Sequence, residues 1–395
     1  MYNIAILNLW PTPYKDPVYR QFHNLYADEY RLLVFYLNDF DKGHAYQTIE
    51  SGEYDSVVIG KDNQLDYKSP AFWKSKKEFY DYFTVAFEKQ KIDCVIIPGH
   101  GSSFCMGALS AAKKAGIPYV YSADTISNDT GNFLKKAIRH VLTSRYVHHA
   151  GSVWVPGFAS RAYFREYGIA DSAIFEGMYC LDLDKLSAIS EEFQQTRQQL
   201  REEYGFAETD IVLLFAGRYL KVCNFNVMLT AFHQASLQNP RLKLVLVGGG
   251  DEKETIQRII AQQGITNIEL RDFIPIDKIG AMYVASDIYY MTYDWAHYSL
   301  ACIQAAICRK PIITTNTLGA AYDCIDHEKN GYIIPPGNTE AATQAILKLA
   351  GLPSDARIKM GDYSFDKVRN RTLIWAASQM KQAVQHALGK GDNTK

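Results

Sequence analysis

The sequence predicts an α/β protein made of two Rossmann-like domains. Three observations carry this prediction: a length of 395 residues, a composition of 47% hydrophobic and 22% charged residues, and short apolar runs that alternate with longer amphipathic stretches. At roughly 100–200 residues per domain, the length accommodates two domains. The composition is that of a well-packed globular chain. The alternation indicates repeated strand–helix–strand units, which form a mostly parallel sheet.

The first half of the chain shows the alternation clearly. The predicted strands are Ile4–Leu9, Arg31–Tyr36, Ser56–Ile59, Cys94–Pro98, Tyr119–Ser122, Ser152–Val155 and Ala173–Phe175. A polar run rich in Gln and Glu then extends from Leu186 to Tyr204 and ends at Gly205. Because this run has no strand signal, we predict a first domain at 1–185 and a linker helix at 186–205.

The second half restarts the pattern. Its predicted strands are Ile211–Ala216, Leu242–Val247, Ile268–Arg271, Ile288–Met291, Pro311–Thr314 and Gly331–Ile334. These strands define a second domain at 206–365. After Leu349 only helical material remains, chiefly Lys367–Leu388. We predict that 366–395 forms a helix that packs back on the first domain and ends in a frayed polar tail.

Bulk properties exclude several function classes. The net charge of -1 gives no reason to expect a nucleic-acid partner. The first residues lack the basic region of a signal peptide, and no apolar run reaches the roughly 20 residues needed to span a bilayer, so we expect a cytoplasmic protein. The seven cysteines are scattered and form no C-x-x-C pair. We therefore expect reduced thiols and no metal.

The first candidate site follows the apolar run Leu213–Ala216, which ends in Gly217 and Arg218. A helix is predicted soon afterwards, from Asn224 to Phe232. Glycine lets the backbone approach a phosphate, a helix N-terminus supplies amide donors, and a guanidinium binds phosphate oxygens in pairs. The pattern predicts an anion site, and an arginine solvated at a strand end is the alternative.

The second candidate is a run of three glycines, Gly248, Gly249 and Gly250, which ends a strand and precedes an acidic turn. The G-x-G-x-x-G spacing of dinucleotide-binding proteins is absent, and the acidic turn would repel a pyrophosphate, so we expect no nicotinamide cofactor. The permissive backbone favours contact with a nucleotide base or sugar. A plain tight turn is the alternative.

The third candidate is an aromatic and polar loop, Thr292–Leu300, between the strand Ile288–Met291 and the helix Ala301–Cys308. Ligands of open parallel sheets bind beyond the carboxyl ends of the strands, where this loop lies. Amides near Ser299 and Leu300, at the helix N-terminus, predict a diphosphate site. Surface aromatics that cap a core are the alternative.

These motifs occur in a recognisable order. The order is Gly217-Arg218, Gly248-Gly249-Gly250, Phe273-Ile274-Pro275, Ala285-Ser286-Asp287-Ile288, Gln304-Ala305-Ala306, Lys310-Pro311-Ile312-Ile313 and Asn330-Gly331-Tyr332. It resembles the donor domain of family-4 glycosyltransferases (glycosyl transferases group 1), whose run is G-R, G-x-G, F-x-G, A-D, E-A-x-A-x-G-x-P and N-G. A weaker resemblance reaches Trp10–Tyr14 and Ala170–Phe175. It implies the GT-B fold, in which two Rossmann-like domains face each other across a cleft.

The resemblance also implies roles for individual residues. Arg218 and a nearby lysine would hold the donor pyrophosphate. The loop backbone near Phe273 and Ile274 would touch the base. The family's usual lysine position is Cys223 in this chain, and we expect Lys221 to replace it, because a flexible ammonium reaches a phosphate from more than one Cα position.

The chain departs from the family at the two glutamates, eight positions apart, that hold sugar and ribose. Here these positions are Ala296 and Gln304. Gln304 retains the capacity to hydrogen-bond a ribose hydroxyl. Two interpretations follow: either the donor is unusual and Asp294 or His297 takes over the sugar contact, or the domain has lost transfer activity and serves as a partner subunit.

In the first domain, two further residues follow strands. His100 lies in the loop Pro98–Ser103 and is a candidate acceptor-site group or general acid–base, because an unperturbed histidine titrates near neutrality. Asp124 ends the next strand and is a candidate to meet the acceptor hydroxyl. A structural histidine at a turn and an aspartate that caps a helix are the alternatives.

The stretch Phe133–His149 reads as a basic amphipathic helix. Such a helix suits peripheral contact with the inner membrane face and a lipid-linked acceptor, although a solvated charged face is the alternative.

We therefore predict a retaining glycosyltransferase that needs no metal or cofactor and moves a sugar from a nucleotide diphosphate to a glycan, lipid-linked or small-molecule acceptor. Arg218, Lys221 and amides near Ser299 and Leu300 would stabilise the departing diphosphate. The retaining label comes from the resemblance. A catalytically impaired, partner-binding subunit and a sugar-nucleotide epimerase of the same fold are the alternatives.

Overall fold

The structure, a computed structural model, describes residues 1–39, 53–60, 72–127, 133–275 and 278–389. The chain divides into two compact units. The first comprises Met1–Leu181 and Arg371–Lys395, and the second comprises Asp182–Asn370. The described part of the chain contains no helix that is long and apolar enough to cross a membrane.

The first unit contains a parallel sheet with the strand order β3-β2-β1-β4-β5-β6-β7. The strands are β1 (Tyr2–Asn8), β2 (Tyr30–Tyr36), β3 (Asp55–Val58), β4 (Cys94–Pro98), β5 (Tyr119–Ser122), β6 (Ser152–Trp154) and β7 (Ile174–Phe175). The described helices are α1 (Asp16–Tyr26), α2 (Phe72–Lys89), α3 (Ser103–Ala115), α4 (Phe133–Val147), α5 (Phe158–Glu166) and, from the C-terminal part of the chain, α15 (Leu373–Ala387).

Both faces of this sheet are buried, because side chains alternate along each strand. Ala5 and Leu7 belong to a core that includes residues of α2 and α3. Ile4 and Ile6 belong to a second core that includes residues of α1 and α15. The α15 helix begins at the cap Thr372, whose side chain accepts a hydrogen bond from the Trp375 amide.

The second unit contains a parallel sheet with the strand order β10-β9-β8-β11-β12-β13. The strands are β8 (Ile211–Arg218), β9 (Leu242–Gly249), β10 (Ile268–Arg271), β11 (Ile288–Tyr290), β12 (Ile312–Thr315) and β13 (Gly331–Ile334). The helices are α6 (Leu183–Gln195), α7 (Arg197–Glu203), α8 (Phe225–Gln238), α9 (Lys253–Gln263), α10 (Ile279–Ala285), α11 (Leu300–Ile307), α12 (Ala321–Cys324), α13 (Thr339–Gly351) and α14 (Ser354–Val368).

The stretch predicted as one linker helix, 186–205, instead belongs to two helices of the second unit, α6 and α7, which meet at Thr196. The reason lies in α7, whose Arg197 and Arg201 both pair with Asp287 at 2.9 and 3.1 Å. Arg201 also donates to the carbonyl of Ala285, the last residue of α10. These bonds attach α7 to the second sheet's own helices.

Candidate functional site

The second sheet has its topological switch point between β8 and β11, because strand order reverses there. The two strands are neighbours, with Leu213 opposite Ile288. Their following loops therefore emerge at the same carboxyl edge. The structure thus brings together the predicted residues at the end of β8 and just after it (Gly217, Arg218 and Lys221) and those after β11 (Asp294, His297, Ser299 and Leu300).

Hydrogen bonds tie these two loops to each other. Asn224 donates from Nδ2 to Oδ1 of Asp294 at 2.6 Å, and the Asp294 amide donates to the Val222 carbonyl at 2.8 Å. Thr292 donates from Oγ1 to the Cys223 carbonyl at 2.8 Å. The pair of loops is therefore a preorganised surface on which Arg218, Lys221 and Asp294 are exposed.

Sequence reasoning missed Asn224. It lies in the left-handed region with φ 48° and caps α8, since its side chain accepts from the Val227 amide. Asparagine tolerates this backbone region better than most residues and is a preferred N-cap. An asparagine directly before the apolar start of a helix is the signal that could have identified it.

The three glycines divide into two roles. Gly248 has φ 142°, and a Cβ there would overlap the carbonyl oxygen of Gly217 on β8. Gly250 has φ 144°, and a Cβ there would lie 2.7 Å from the Tyr219 carbonyl oxygen. Gly248 is thus explained by the close approach of β9 to β8, and Gly250 by the close approach of the residues that directly follow these two strands. At Gly249 a Cβ meets nothing within 4 Å, so this glycine faces open space.

The N-terminus of α11 is capped by Ser299 without a side-chain hydrogen bond to the helix. The Ser299 hydroxyl instead lies 4.0 Å from the Met291 sulfur. The first amides of α11, around Leu300, are therefore not taken by this side chain. Amides in this position form the positive end of a helix and favour anions.

The two positions at which the family has glutamate form other contacts in this structure. Ala296 forms a parallel bridge with Leu318, and its amide donates to the Thr317 carbonyl at 3.1 Å. Gln304 lies on α11, and its Oε1 accepts a hydrogen bond from the Tyr283 hydroxyl at 3.3 Å. The Cys223 thiol, at the usual lysine position, is fully buried and lies 3.5 Å from the Arg218 carbonyl oxygen.

The remaining predicted donor residues lie further along the same edge. Phe273 and Ile274 follow β10, which is separated from β8 by β9. The Phe273 side chain is 61% exposed. His297 contacts Trp295 edge to face, with ring centroids 4.2 Å apart. The described residues contain no group of three or more His, Cys, Asp or Glu side chains that could hold a metal ion.

The first unit places His100 and Asp124 in the wall of one cavity of about 350 Å³. His100 Nδ1 lies 2.7 Å from the Tyr121 hydroxyl, and burial lowers the pKa of His100, which keeps the imidazole neutral near pH 7. Asp124 accepts a hydrogen bond from the Tyr179 hydroxyl at 2.8 Å. Burial and the nearby Asp124 carboxylate raise the pKa of Tyr179 well above its usual range.

A second cavity of about 290 Å³ adjoins the first and contains residues that sequence reasoning did not single out. Lys15 lines both cavities, and its Nζ donates to Oδ1 of Asn8 at 3.2 Å. Burial lowers the pKa of Lys15, while Asp124 and Asp16 act in the opposite direction. Lys15 follows the loop after the first strand, a position at a sheet's binding edge that could have indicated it.

Residues 196–366 match the family model described as "Glycosyl transferases group 1". This part of the chain is thus similar to that family. The match contains every predicted donor-side residue from Gly217 to Gln304, while the two cavities of the first unit lie outside it.

Curated proteins are similar to part of the chain. The chain is 25% identical over 161 residues to N-acetyl-alpha-D-glucosaminyl L-malate synthase of Bacillus anthracis, a match that covers 40% of each chain. It is 29% identical over 187 residues to spore coat protein SA of Bacillus subtilis, covering 44% of this chain and 48% of that protein. The matches thus span less than half of these relatives.

Solved structures resemble the whole chain. A glycosyltransferase from Rickettsia africae covers 100% of this chain, which covers 99% of it, with a TM-score of 0.74 and 15% identity. Anabaena HepE in complex with UDP and glucose covers 98% of this chain, which covers all of it, with a TM-score of 0.72 and 17% identity. The prediction of two Rossmann-like domains of the GT-B type is confirmed.

Proposed function

We propose that this protein is a retaining glycosyltransferase that transfers a sugar from a nucleotide diphosphate sugar to a hydroxyl acceptor without a metal ion. The observation that carries the proposal is the pair of tied loops at the switch point of the group 1 domain. Two cations and a helix N-terminus belong to these loops. The coincidence of family and site chemistry is stronger support than either alone.

The departing diphosphate gains negative charge as the sugar–oxygen bond breaks. Arg218 binds its oxygens in pairs, Lys221 adds a flexible point charge, and the amides around Leu300 donate from the α11 N-terminus. Positive groups that are fixed before the reaction stabilise such charge without reorganisation. Because these groups supply the positive charge, the proposal assigns no step to a metal.

The sugar contact of the missing glutamates passes to other residues. Asp294 is held in place by Asn224 and by its own amide, so its carboxylate is oriented before the donor binds. Gln304 uses Oε1 to accept from Tyr283, which orients its amide nitrogen as a donor for a ribose hydroxyl. Gly249, whose surroundings are open, lets the base approach the backbone near Phe273.

A partner-binding subunit without transfer activity is the second candidate. The observation that favours it is the loss of both family carboxylates, since Ala296 is backbone-paired and the Gln304 oxygen is already engaged. Such a subunit would transfer no sugar to any acceptor. Donor binding alone does not separate it from the enzyme, whereas turnover does.

Calorimetric titration with UDP, GDP, ADP and their common sugar conjugates tests the donor site. We expect one nucleotide to bind and Arg218→Ala to weaken it by at least tenfold, the loss of about one charge-assisted contact. Arg258→Ala, an exposed arginine on α9 of the same unit, is the matched control and should bind normally. No binding across the panel would contradict the proposal.

Turnover measurements test the finer claims. The proposal expects product to form equally in EDTA and in added Mg²⁺. NMR of the product should show the anomeric configuration of the donor. Loss of activity in EDTA, or an inverted anomer, would refute metal independence or retention respectively. Nucleotide-sugar interconversion without any acceptor would instead indicate an epimerase.

A further inference from the structure

The carboxyl edge of the first sheet carries a trough made of the two adjoining cavities, of about 350 and 290 Å³. They share Lys15, Pro98, Gly101 and Tyr179, and all their lining residues belong to the first unit. The trough lies at the ends of β1, β4 and β5, and β1 and β4 flank the switch point of this sheet. It is therefore placed where open α/β sheets bind ligands.

One buried side-chain amide nitrogen in this trough, Nδ2 of Asn8, has no hydrogen-bond partner among the described residues. Asn8 is 3% exposed and lines the smaller cavity. Its Oδ1 accepts from the Lys15 ammonium and from the Leu9 amide, both at 3.2 Å, which fixes the orientation of the side-chain amide. The Nδ2 group then donates to none of the described atoms. A buried donor without a partner is a group that a ligand oxygen would satisfy.

The charges around the trough argue against an anionic ligand. Lys15 has two carboxylates, Asp124 and Asp16, close enough to raise its pKa against the effect of burial. The Asp16 carboxylate accepts hydrogen bonds from the Tyr54 hydroxyl at 2.9 Å and from other donors, so its role is structural. One cation beside two carboxylates leaves no excess positive charge for a carboxylate or phosphate.

A neutral molecule with closely spaced hydroxyls fits this arrangement better. A hydroxyl both donates and accepts, so adjacent hydroxyls can satisfy donors such as Asn8 Nδ2 and acceptors such as Asp124 together. Aromatic walls provide the apolar part: the Tyr14 and Tyr179 rings lie 5.1 Å apart, edge to face, and Trp10 lines the same cavity. An apolar wall with a few directed polar groups is typical of small-molecule sites.

We propose that the trough binds a sugar residue of the acceptor, with Asn8 and Lys15 donating to ring hydroxyls and Asp124 and His100 accepting from them. The acceptor is thus a carbohydrate and not an anionic or purely lipidic alcohol. The acceptor role rests on the proposed function, whereas the sugar chemistry rests on the trough alone. His100 is neutral near pH 7 and retains one ring nitrogen besides the one at Tyr121.

Saturation-transfer NMR with methyl glycosides of glucose, galactose, mannose and N-acetylglucosamine tests the proposal on the full chain. We expect at least one glycoside to bind, and Asn8→Asp to weaken it about tenfold, because this change removes the donor and keeps the Oδ1 bonds. Lys15→Met should weaken it similarly. Lys114→Met, at the opposite end of α3, is the matched control and should bind as the wild type does.

Several outcomes would overturn the inference. One is binding of malate or inorganic phosphate in place of every glycoside. Another is glycoside binding that Asn8→Asp and Lys15→Met leave unchanged while circular dichroism shows both variants folded. A glycoside displaced by the nucleotide sugar but not by the free nucleotide occupies the donor-sugar position, which overturns the acceptor assignment.

The same samples separate this inference from the proposed function. If a nucleotide binds and Arg218→Ala abolishes this binding, but no glycoside binds, the carbohydrate acceptor is refuted and the proposed transferase function is not. If a glycoside binds in a manner that depends on Asn8, but no nucleotide binds, the sugar site in the trough is supported and the proposed transferase function is refuted.

Discussion

Gly248 offers the sharpest test of the structure, because its neighbour Gly249 is a built-in control. The perturbation is Gly248→Ala. A Cβ at this position overlaps the Gly217 carbonyl oxygen, and φ is 142°, a region that side chains rarely adopt. At Gly249 φ is ordinary and the space is open. Two adjacent glycine-to-alanine changes should therefore differ widely in the free energy of unfolding.

The magnitude follows from two terms. Backbone strain at such a φ amounts to about 1–3 kcal/mol, and displacing the neighbouring strand to relieve an overlap adds about 1–3 kcal/mol. Gly248→Ala should thus lower the free energy of unfolding by roughly 2–6 kcal/mol. For a unit of this size each kcal/mol shifts the melting temperature by about 2–4 °C, so the expected shift is roughly 4–24 °C. Gly249→Ala should stay within about 0.5 kcal/mol.

Differential scanning calorimetry of wild type and both variants measures these shifts. If Gly248→Ala melts within 2 °C of Gly249→Ala, the close approach of β9 to β8 is not a steric constraint and the reasoning fails. A second readout concerns function: Gly249→Ala should keep the wild-type melting temperature and still weaken nucleotide binding, since its methyl group would stand where the base approaches the backbone.

Three further predictions concern other parts of the chain. Burial lowers the pKa of Lys310 to about 8, below its ordinary 10.5. Between these two pKa values the unfolded state binds more protons than the folded state. The free energy of unfolding of the wild type, relative to that of Lys310→Met, should therefore rise by up to about 1.4 kcal/mol per pH unit between pH 8 and 10.5, as urea titrations would measure. Asn224→Ala removes the cap of α8 and the hydrogen bond to Asp294, so urea titration should show a free energy of unfolding about 1 kcal/mol lower, and calorimetry should show a higher Kd for the donor. Asn338→Ala removes the cap of α13 and should lower the free energy of unfolding without changing the donor Kd. Thr372→Val should lower the free energy of unfolding by about 0.5–2 kcal/mol, the cost of a lost cap, and so lower the melting temperature without changing donor affinity.

The strands were predictable because buried parallel strands are continuous apolar runs. All thirteen predicted strands lie within two residues of the observed bounds at each end. The helical stretch 186–205 was less predictable. Its polar surface indicates a helix, but only the pairing of Arg197 and Arg201 with Asp287 shows to which unit it belongs.

The candidate site residues were predictable where the local sequence at one strand end, or in one loop, was enough to identify them. Gly217, Arg218 and the loop at Asp294 are marked by local pattern. Asn8 was not, because its significance is an unsatisfied donor, and whether a donor is satisfied depends on three-dimensional neighbours such as Lys15. The role of Gly248 was equally hidden, since the sequence does not show how closely two strand ends approach.

The position of α15 has a consequence for the order of folding during synthesis. The first unit uses Leu373–Ala387 together with α1 to cover Ile4 and Ile6, yet the second unit, residues 182–370, emerges from the ribosome before that helix does. Domains generally fold as units while the chain is being made. The second unit therefore completes its core first, and the part of the first sheet that α15 covers, beside α1, stays exposed until that helix emerges. A nascent chain stalled before residue 373 should display that apolar face to chaperones.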